Sequence, residues 1–380
     1  LDERLLRVVI AGGGTSGHVL PGIAIAEMLE DRGVLAENIH FVGANRGIDE
    51  SILKATKYHY TLLSVLGLRR SFGLQGARHN LAMLKKLLAA RSQMKTFFRN
   101  WSPNVVVSVG GYASVPAMSA AKAAGISRVV VSYDSRPGLA TRVQARSATV
   151  VTKATEDSGL KSAVLAGAPV RRQLRVLRRN DYRNEARQKL GFLETDFVVA
   201  VVGGSLGSGL LNDVVSELAE GTPHEQDALK NVLWYHIAGE RFQNAIPPGP
   251  RHRVVGYESD MASVYCAADL VIARAGASTV AEITTLGVPS ILIPWAGAAD
   301  NHQEHNARGL LRSNATVMIC EDDVTTERLR AEIARLATHP NDRDALARNA
   351  FALGALHREG KLGEVIGTVA MKDFRHEKNT

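Results

Sequence analysis

Short runs of β-branched and aliphatic residues recur along the chain, and most end in glycine or a polar loop. They are RVVIAGGG from Arg7, NVVVSVGG from Asn104, RVVVSYD from Arg128, ATVVTKA from Ala148 and FVVAVVGG from Phe197 in the first part. NVLWYHIAG from Asn231, HRVVGY from His252, DLVIARAG from Asp269, PSILIPWA from Pro289 and TVMICEDD from Thr316 follow. Segments with apolar residues at helical spacing lie between them, including GIAIAEMLEDRG, VPAMSAAKAAG and STVAEITTLG. Continuous apolar runs suit strands buried on both faces, and their alternation with helices predicts βαβ units and parallel sheets. Residues 165–196 are charged and poor in strand signals, and the strand, glycine loop and helix theme restarts at Phe197. Two Rossmann-like α/β halves, joined near residue 170, are therefore expected to face each other across a cleft, with ligands beyond the carboxyl ends of the strands.

Composition agrees with a well-buried chain of two domains: 380 residues, 45% hydrophobic and 22% charged. The two cysteines, Cys266 and Cys320, have no CxxC or Cys/His spacing. They read as small hydrophobes in a reducing compartment and offer no zinc site. With no apolar stretch of spanning length and no secretory pattern at the start, a cytoplasmic location is expected. The net charge of +8 is uneven. Residues 61–100 carry Arg69, Arg70, Arg78, Lys85, Lys86, Arg91, Lys95 and Arg99 without one acidic residue, interleaved with leucine and phenylalanine. That surface suits anionic lipid or an amphipathic helix packed on a sheet; nucleic acid ranks last because no recognised motif accompanies it.

The first glycine loop, AGGGTSGH at residues 11–18, has the Gly12-x-Gly14-x-x-Gly17 spacing of a dinucleotide site. Such a site needs an acid at the end of the second strand, and Asn38–Val42 is followed by Gly43-Ala44-Asn45 instead. A second loop, SVGGYASVP (108–116), and a third, VGGSLGSGLLN (202–212), also run from a strand into a helix. Backbone N–H groups at helix starts favour anions, so three such loops suggest a diphosphate-bearing substrate. The most specific stretch is 274–308, RAGASTVAEITTLGVPSILIPWAGAADNHQEHNAR. Its small residues at a helix start let a diphosphate approach, Glu282 one turn on can accept two ribose hydroxyls, and Asp300-Asn301-His302-Gln303 can meet a hexose.

These segments resemble, nearly end to end and in order, the GT-B glycosyltransferases of the MurG family, the N-acetylglucosaminyltransferases of peptidoglycan synthesis. The likeness is carried by Gly13-Gly14-Thr15-Ser16-Gly17-His18 with Pro21, Gly110-Gly111-Tyr112 with Pro116, Pro137-Gly138-Leu139, and Gly167 with Pro169-Val170-Arg171. Gly203-Gly204-Ser205 with Leu211-Asn212, Tyr257 through Met261, Arg274 through Glu282, and His302-Gln303 with Asn306-Ala307 complete it. The resemblance implies a GT-B fold with an acceptor domain at 1–167, a donor domain at 168–350 and a C-terminal helical segment, 351–380, packing back on the first domain.

It further implies transfer of GlcNAc from UDP-GlcNAc, with inversion, to the C4 hydroxyl of undecaprenyl-pyrophosphoryl-MurNAc-pentapeptide. Carried over by position, Glu282 would hold the ribose, and Ala277, Ser278, Thr279, Gly204 and Ser205 the diphosphate. Glu258 would meet the uracil through its backbone beside Met261, and His302 and Gln303 the GlcNAc hydroxyls. Arg171 would approach the diphosphate from the linker. Gly14, Thr15, Ser16 and Gly17, with Gly110, Gly111, Tyr112 and Asp134, would line the acceptor site. His18 would be the general base, a task that suits an imidazole mostly neutral at cytoplasmic pH. No DxD motif occurs, so no metal or other cofactor is expected, and Glu321-Asp322-Asp323 reads as helix N-terminal charge. The basic, apolar patch at 61–100 would give peripheral attachment to the inner membrane face. In place of the family's His-Glu-x-Asn before Pro-Gly-Leu stands Ser132-Tyr133-Asp134-Ser135-Arg136, and Leu206 and Ala168 replace the usual glutamine and asparagine. These departures keep open a related enzyme with another acceptor, or a silent UDP-sugar- or lipid-binding homologue.

Overall fold

The structure, a computed structural model, describes residues 2–14, 16–45, 48–65, 74–204, 206–220 and 229–378. Its contacts divide the chain into two compact units, Leu1–Arg172 with Glu359–Thr380, and Gln173–Arg358.

The first unit runs β1 (Val8–Ala11), α1 (Ser16–Glu30), β2 (Ile39–Ala44), α2 (Asp49–Lys54), β3 (His59–Leu63), α3 (Leu74–Trp101), β4 (Val105–Ser108), α4 (Ser114–Ala123), β5 (Ser127–Ser132), α5 (Leu139–Ala145), β6 (Val150–Lys153) and β7 (Val164–Leu165). Its seven strands are parallel in the order β3-β2-β1-β4-β5-β6-β7. Side chains alternate across the sheet, so Val8 and Ile10 join one apolar layer with Ile23, Met28 and Leu29 of α1. Val9 and Ala11 join the other, with Ala90, Met94 and Phe98 of α3 and Ala117 and Ala121 of α4. A valine or isoleucine buried this fully contributes about 1.5–3 kcal/mol, which is why these runs lie in the sheet interior. The half-exposed β3 and the short β7 sit at the edges, where burial leaves a weaker sequence signal.

The second unit holds α6 (Arg172–Val176, beginning at the boundary), α7 (Arg179–Leu190), β8 (Phe197–Val202), α8 (Gly209–Glu220), β9 (Val232–Ile237), β10 (His252–Val255), α9 (Met261–Ala267) and β11 (Leu270–Ala273). It continues with α10 (Ala277–Leu286), β12 (Ser290–Leu292), α11 (His302–Arg312), β13 (Val317–Met318), α12 (Thr326–Thr338), α13 (Pro340–Leu353) and α14 (Ala355–Arg358). Six parallel strands are ordered β10-β9-β8-β11-β12-β13. Val199, Val201, Ile272 and Ile291 pack against Leu211 and Val215 of α8 and Leu329 and Ile333 of α12.

The boundaries fall at Arg172 and Arg358, where the sequence reading put them at 167 and 350. Side-chain contacts explain the shift. The Arg172 backbone N–H and guanidinium reach Glu27 and Glu30 of α1 and Asp31 just after it, which keeps the linker's start with the first unit. Arg358 donates to the Thr285 and Phe351 carbonyls at 3.0 and 2.7 Å, which keeps α14 with the second. The last helix, α15 (Lys361–Lys378), belongs to the first unit, where Leu362, Ile366 and Val369 enter the α1 layer.

In each sheet the chain leaves one central strand outward and returns to its neighbour. The reversal lies between β1 and β4 in the first unit and between β8 and β11 in the second. Open parallel sheets bind ligands at the carboxyl ends of strands at such a point. All three glycine loops and the start of the 274–308 stretch follow one of these four strands.

Candidate active site

In the first unit, the loops after β1 and β4 are in backbone contact. A Cβ on Gly12 would lie 2.2 Å from Val109 Cγ2, and one on Gly111 2.7 Å from the Gly13 carbonyl oxygen. Gly110 and Gly111 also have φ of +94° and +75°, which L side chains rarely adopt, so both positions need glycine. His18, in the first turn of α1, lies against this glycine pair: a Gly110 Cβ would stand 3.3 Å from His18 Cδ2 and a Gly111 Cβ 3.6 Å from Cε1. Burial lowers the His18 pKa below the ordinary 6.5, so the ring is neutral at neutral pH and able to take a proton. Tyr133 donates its hydroxyl to the Gly17 carbonyl at 2.5 Å, so the loop that departs from the family pattern braces the start of α1. Asp134 beside it is half-buried, and Tyr112 is 45% exposed in the second loop, two residues before α4.

Asp49 was not singled out in the sequence. It is fully buried and accepts from Gly14 N–H through both carboxylate oxygens, at 2.9 and 2.8 Å, and from Ala44 N–H at 2.8 Å. The Gly14 amide therefore already faces an anion belonging to the protein. Thr15 lies outside the described residues, as does the side chain of Ser16.

In the second unit, Gly276 precedes α10 in extended conformation, and Ala277, Ser278 and Thr279 form its half-buried first turn. Glu282, one turn in, accepts from the hydroxyl of buried Tyr265 at 2.9 Å, which orients its carboxylate. Glu258 accepts from Tyr235 Oη at 2.6 Å and Asp260 N–H at 2.7 Å. Its side chain is thus committed to the turn before α9, where half-buried Met261 starts the helix. His302 Nδ1 lies 2.7 Å from the Ala299 carbonyl. A carbonyl only accepts, so Nδ1 is the donor, and in the neutral ring Nε2 is the acceptor. Gln303 Oε1 accepts from Trp295 N–H at 3.0 Å, which turns its Nε2 donors the other way. The pair therefore presents one acceptor and one donor group on neighbouring residues of α11, a set suited to sugar hydroxyls. Gly204 is exposed with φ +91°, and Ser205 lies outside the described residues.

Glu321 corrects the sequence reading. Its 3-10 turn, Glu321–Asp323, carries three acids, but the Glu321 carboxylate pairs with Arg274 and accepts from Ala296 N–H at 2.6 Å. Arg274 in turn donates to Ser208 Oγ at 3.1 Å and to the Ile293 carbonyl at 3.2 Å. One buried guanidinium thus joins the start of α8 and the ends of β11 and β12 to the loop before α11. No spacing rule connects residues 274 and 321, so sequence gave no sign of it. Arg171, expected near a diphosphate, instead donates to Glu27 Oε1 at 2.8 Å within the first unit. In the basic stretch, residues 66–73 lie outside the described part; along α3 Leu81, Leu84 and Leu88 are 57, 50 and 56% exposed, while Ala90, Met94 and Phe98 face the core.

Comparison with known proteins places this geometry in a class. Residues 8–153 match the glycosyltransferase family 28 N-terminal domain, and residues 198–359 its C-terminal domain. The two matches cover both strand-reversal sites, and together they define a glycosyltransferase of family 28. A transferase of Syntrophus aciditrophicus is 38% identical over 363 residues, covering 93% of this chain and 95% of its own. One of Geobacter sp. strain M21 is 34% identical over 360 residues, with 92% and 93% covered. Both carry the name UDP-N-acetylglucosamine–N-acetylmuramyl-(pentapeptide) pyrophosphoryl-undecaprenol N-acetylglucosamine transferase, and this chain belongs to that family. The crystal structure of Acinetobacter baumannii MurG has the same fold, with a TM-score of 0.68, 24% identity, and 96% of this chain and 99% of that one covered.

Proposed function

We propose that the chain transfers GlcNAc from UDP-GlcNAc to the C4 hydroxyl of MurNAc-pentapeptide carried on undecaprenyl diphosphate, inverting the anomeric carbon and forming lipid II. His18 takes the proton of the acceptor hydroxyl as its oxygen bonds to C1 of GlcNAc. The C1–O bond to the β-phosphate breaks, and UDP leaves with the electron pair. The observation that carries this reading is the His18 ring lying against Gly110–Gly111 at the strand reversal of the first unit, with its pKa lowered by burial. The second unit supplies an independent support, because the oriented Glu282 carboxylate and the Ala277–Thr279 helix start share the strand reversal there.

In this reading, Glu282 holds the ribose, the α10 helix start with Gly204 and Ser205 the diphosphate, and the Glu258 backbone beside Met261 the uracil. His302 and Gln303 hold the GlcNAc hydroxyls. Arg171, paired with Glu27, would meet the donor diphosphate from the linker. Gly14 through Gly17, Gly110 to Tyr112 and Asp134 flank the acceptor, whose undecaprenyl chain stays in the bilayer. Exposed leucines on α3 among Lys85, Lys86 and Arg99 support peripheral attachment to an anionic inner membrane surface. Among the described residues no helix is long and apolar enough to cross a membrane.

The test is transfer of labelled GlcNAc from UDP-GlcNAc to a short-chain lipid I analogue, with EDTA present. A labelled disaccharide product supports the reading. Binding of UDP-GlcNAc without product turns the assignment toward another acceptor or a silent homologue, through the altered segment Ser132–Arg136.

A further inference from the structure

We propose that Asp49 is a positioning residue for the transfer: its carboxylate locks the first glycine loop and thereby keeps His18 seated on Gly110–Gly111. The inference rests on the reading of His18 as the base. Three observations converge on it. First, the carboxylate is fully buried and spans two neighbouring strand ends, accepting from Gly14 in the loop after β1 and from Ala44 at the end of β2. A buried carboxylate is stable only when amide donors replace its water, and these amides are the backbone of the loop and of the neighbouring strand end. Second, the fit leaves no slack. A Cβ on Gly13 would lie 2.0 Å from Asp49 Oδ2, and one on Gly43 3.0 Å from the same oxygen. Third, the loop is pinned on its far sides too, by the Gly13 carbonyl against Gly111 and by Tyr133 Oη on the Gly17 carbonyl.

His18 is the residue after Gly17, so a loop fixed at Gly14 and Gly17 delivers the imidazole to one place. The Gly14 N–H already has an anionic partner, so that amide serves to place the loop rather than to bind the acceptor diphosphate.

The experiment is a double-mutant cycle in the full chain, using Asp49→Asn, His18→Ala and the pair, with single-turnover transfer and UDP-GlcNAc titration. The side chain of Asp49→Asn is isosteric, but one oxygen becomes an amide that cannot accept. Loss of a charge-assisted bond predicts a transfer rate about tenfold to a hundredfold lower, with UDP-GlcNAc affinity within about twofold. In the His18→Ala background the same change should cost less than about twofold, because a residue acting through the base has nothing left to position. Gly13→Ala is the second variant, which displaces the carboxylate without removing its charge, and it should reproduce the pattern. A wild-type rate in folded Asp49→Asn overturns the proposal, as does an undiminished Asp49 effect in the His18→Ala background. Equal rates for His18→Ala and wild type remove the base assignment and the positioning role with it.

Discussion

Removing the Glu321 carboxylate should loosen the Trp295–Ala296 loop that contacts Gln303 and weaken donor binding. Arg274 and Glu321 have side chains 9% and 18% exposed, so neither charge is well hydrated. Glu321→Ala leaves the guanidinium with two neutral acceptors, Ser208 Oγ and the Ile293 carbonyl, and leaves Ala296 N–H without its 2.6 Å partner. Breaking a buried pair from one side costs about 3–5 kcal/mol; with water able to reach the Glu321 side, about 2–3 kcal/mol is expected. For a unit of this size that corresponds to a Tm about 5–10 °C lower. The Trp295 amide would still hold Gln303, but the adjoining Ala296 would no longer be fixed, and UDP-GlcNAc affinity should fall about tenfold, which is about 1.4 kcal/mol. Calorimetric melts and titrations of wild type, Glu321→Ala, Arg274→Met and the double variant measure both effects. The pair should be non-additive by at least about 1.5 kcal/mol, since the second substitution removes a charge already stranded. Additive losses, or an unchanged Tm for Glu321→Ala, would refute the coupling. A lowered Tm with unchanged UDP-GlcNAc affinity would refute the link to the donor loop.

Three further outcomes follow from the same geometry. The second unit should lose stability in acid, because His236, stacked on His252 and bonded to Asn212, has its pKa lowered to about 3 by burial. The unfolded chain binds that proton near pH 6.5 and the folded unit does not, so stability should fall by up to about 1.4 kcal/mol per pH unit as pH drops from 6.5 toward 3. Urea titrations at pH 7 and pH 5 measure it, and a slope unchanged by His236→Gln would count against the assignment. Gly111→Ala, which forces a Cβ to within 2.7 Å of the Gly13 oxygen at φ +75°, should lower the transfer rate by about tenfold or more while leaving UDP-GlcNAc affinity intact; equal transfer rates would show that this close approach is not needed. Leu84→Glu with Leu88→Glu on α3 should weaken sedimentation with anionic vesicles by at least about tenfold, as burial of one leucine contributes about 1.5–3 kcal/mol; undiminished binding would move the membrane contact off this helix.

What the sequence made legible was local. Apolar runs such as Val8–Ala11 and Leu270–Ala273 are strands because four consecutive buried positions leave little alternative, and the glycine loops after them mark the strand reversals. Arg179–Leu190, in the charged stretch without strand signals, is a helix capped by Gly191 in left-handed conformation. The edge strand His59–Leu63 escaped notice because its half-exposed residues lack a continuous apolar run. Partners brought together by the fold were illegible for a different reason. Asp49 and Gly14 are 35 positions apart and Arg274 and Glu321 are 47, and no periodicity links residues that meet only after two strands have paired. Three acids in a row at Glu321–Asp323 look like helix-start charge, and only the fold shows that the first of them belongs to Arg274.

His18 as the base is tested by the pH dependence of GlcNAc transfer to the lipid I analogue, with His18→Ala alongside. Removing a general base should cost about 10²–10⁴-fold in kcat, while UDP-GlcNAc binds the variant within about twofold of wild type, because the residues proposed for the donor, Arg171 aside, lie in the other unit. Since burial lowers the His18 pKa, the wild-type rate should be flat at neutral pH and fall only below pH 6.5, on an acidic limb that the variant lacks. A His18→Ala enzyme that transfers GlcNAc at the wild-type rate, or that keeps the same acidic limb, would contradict the account.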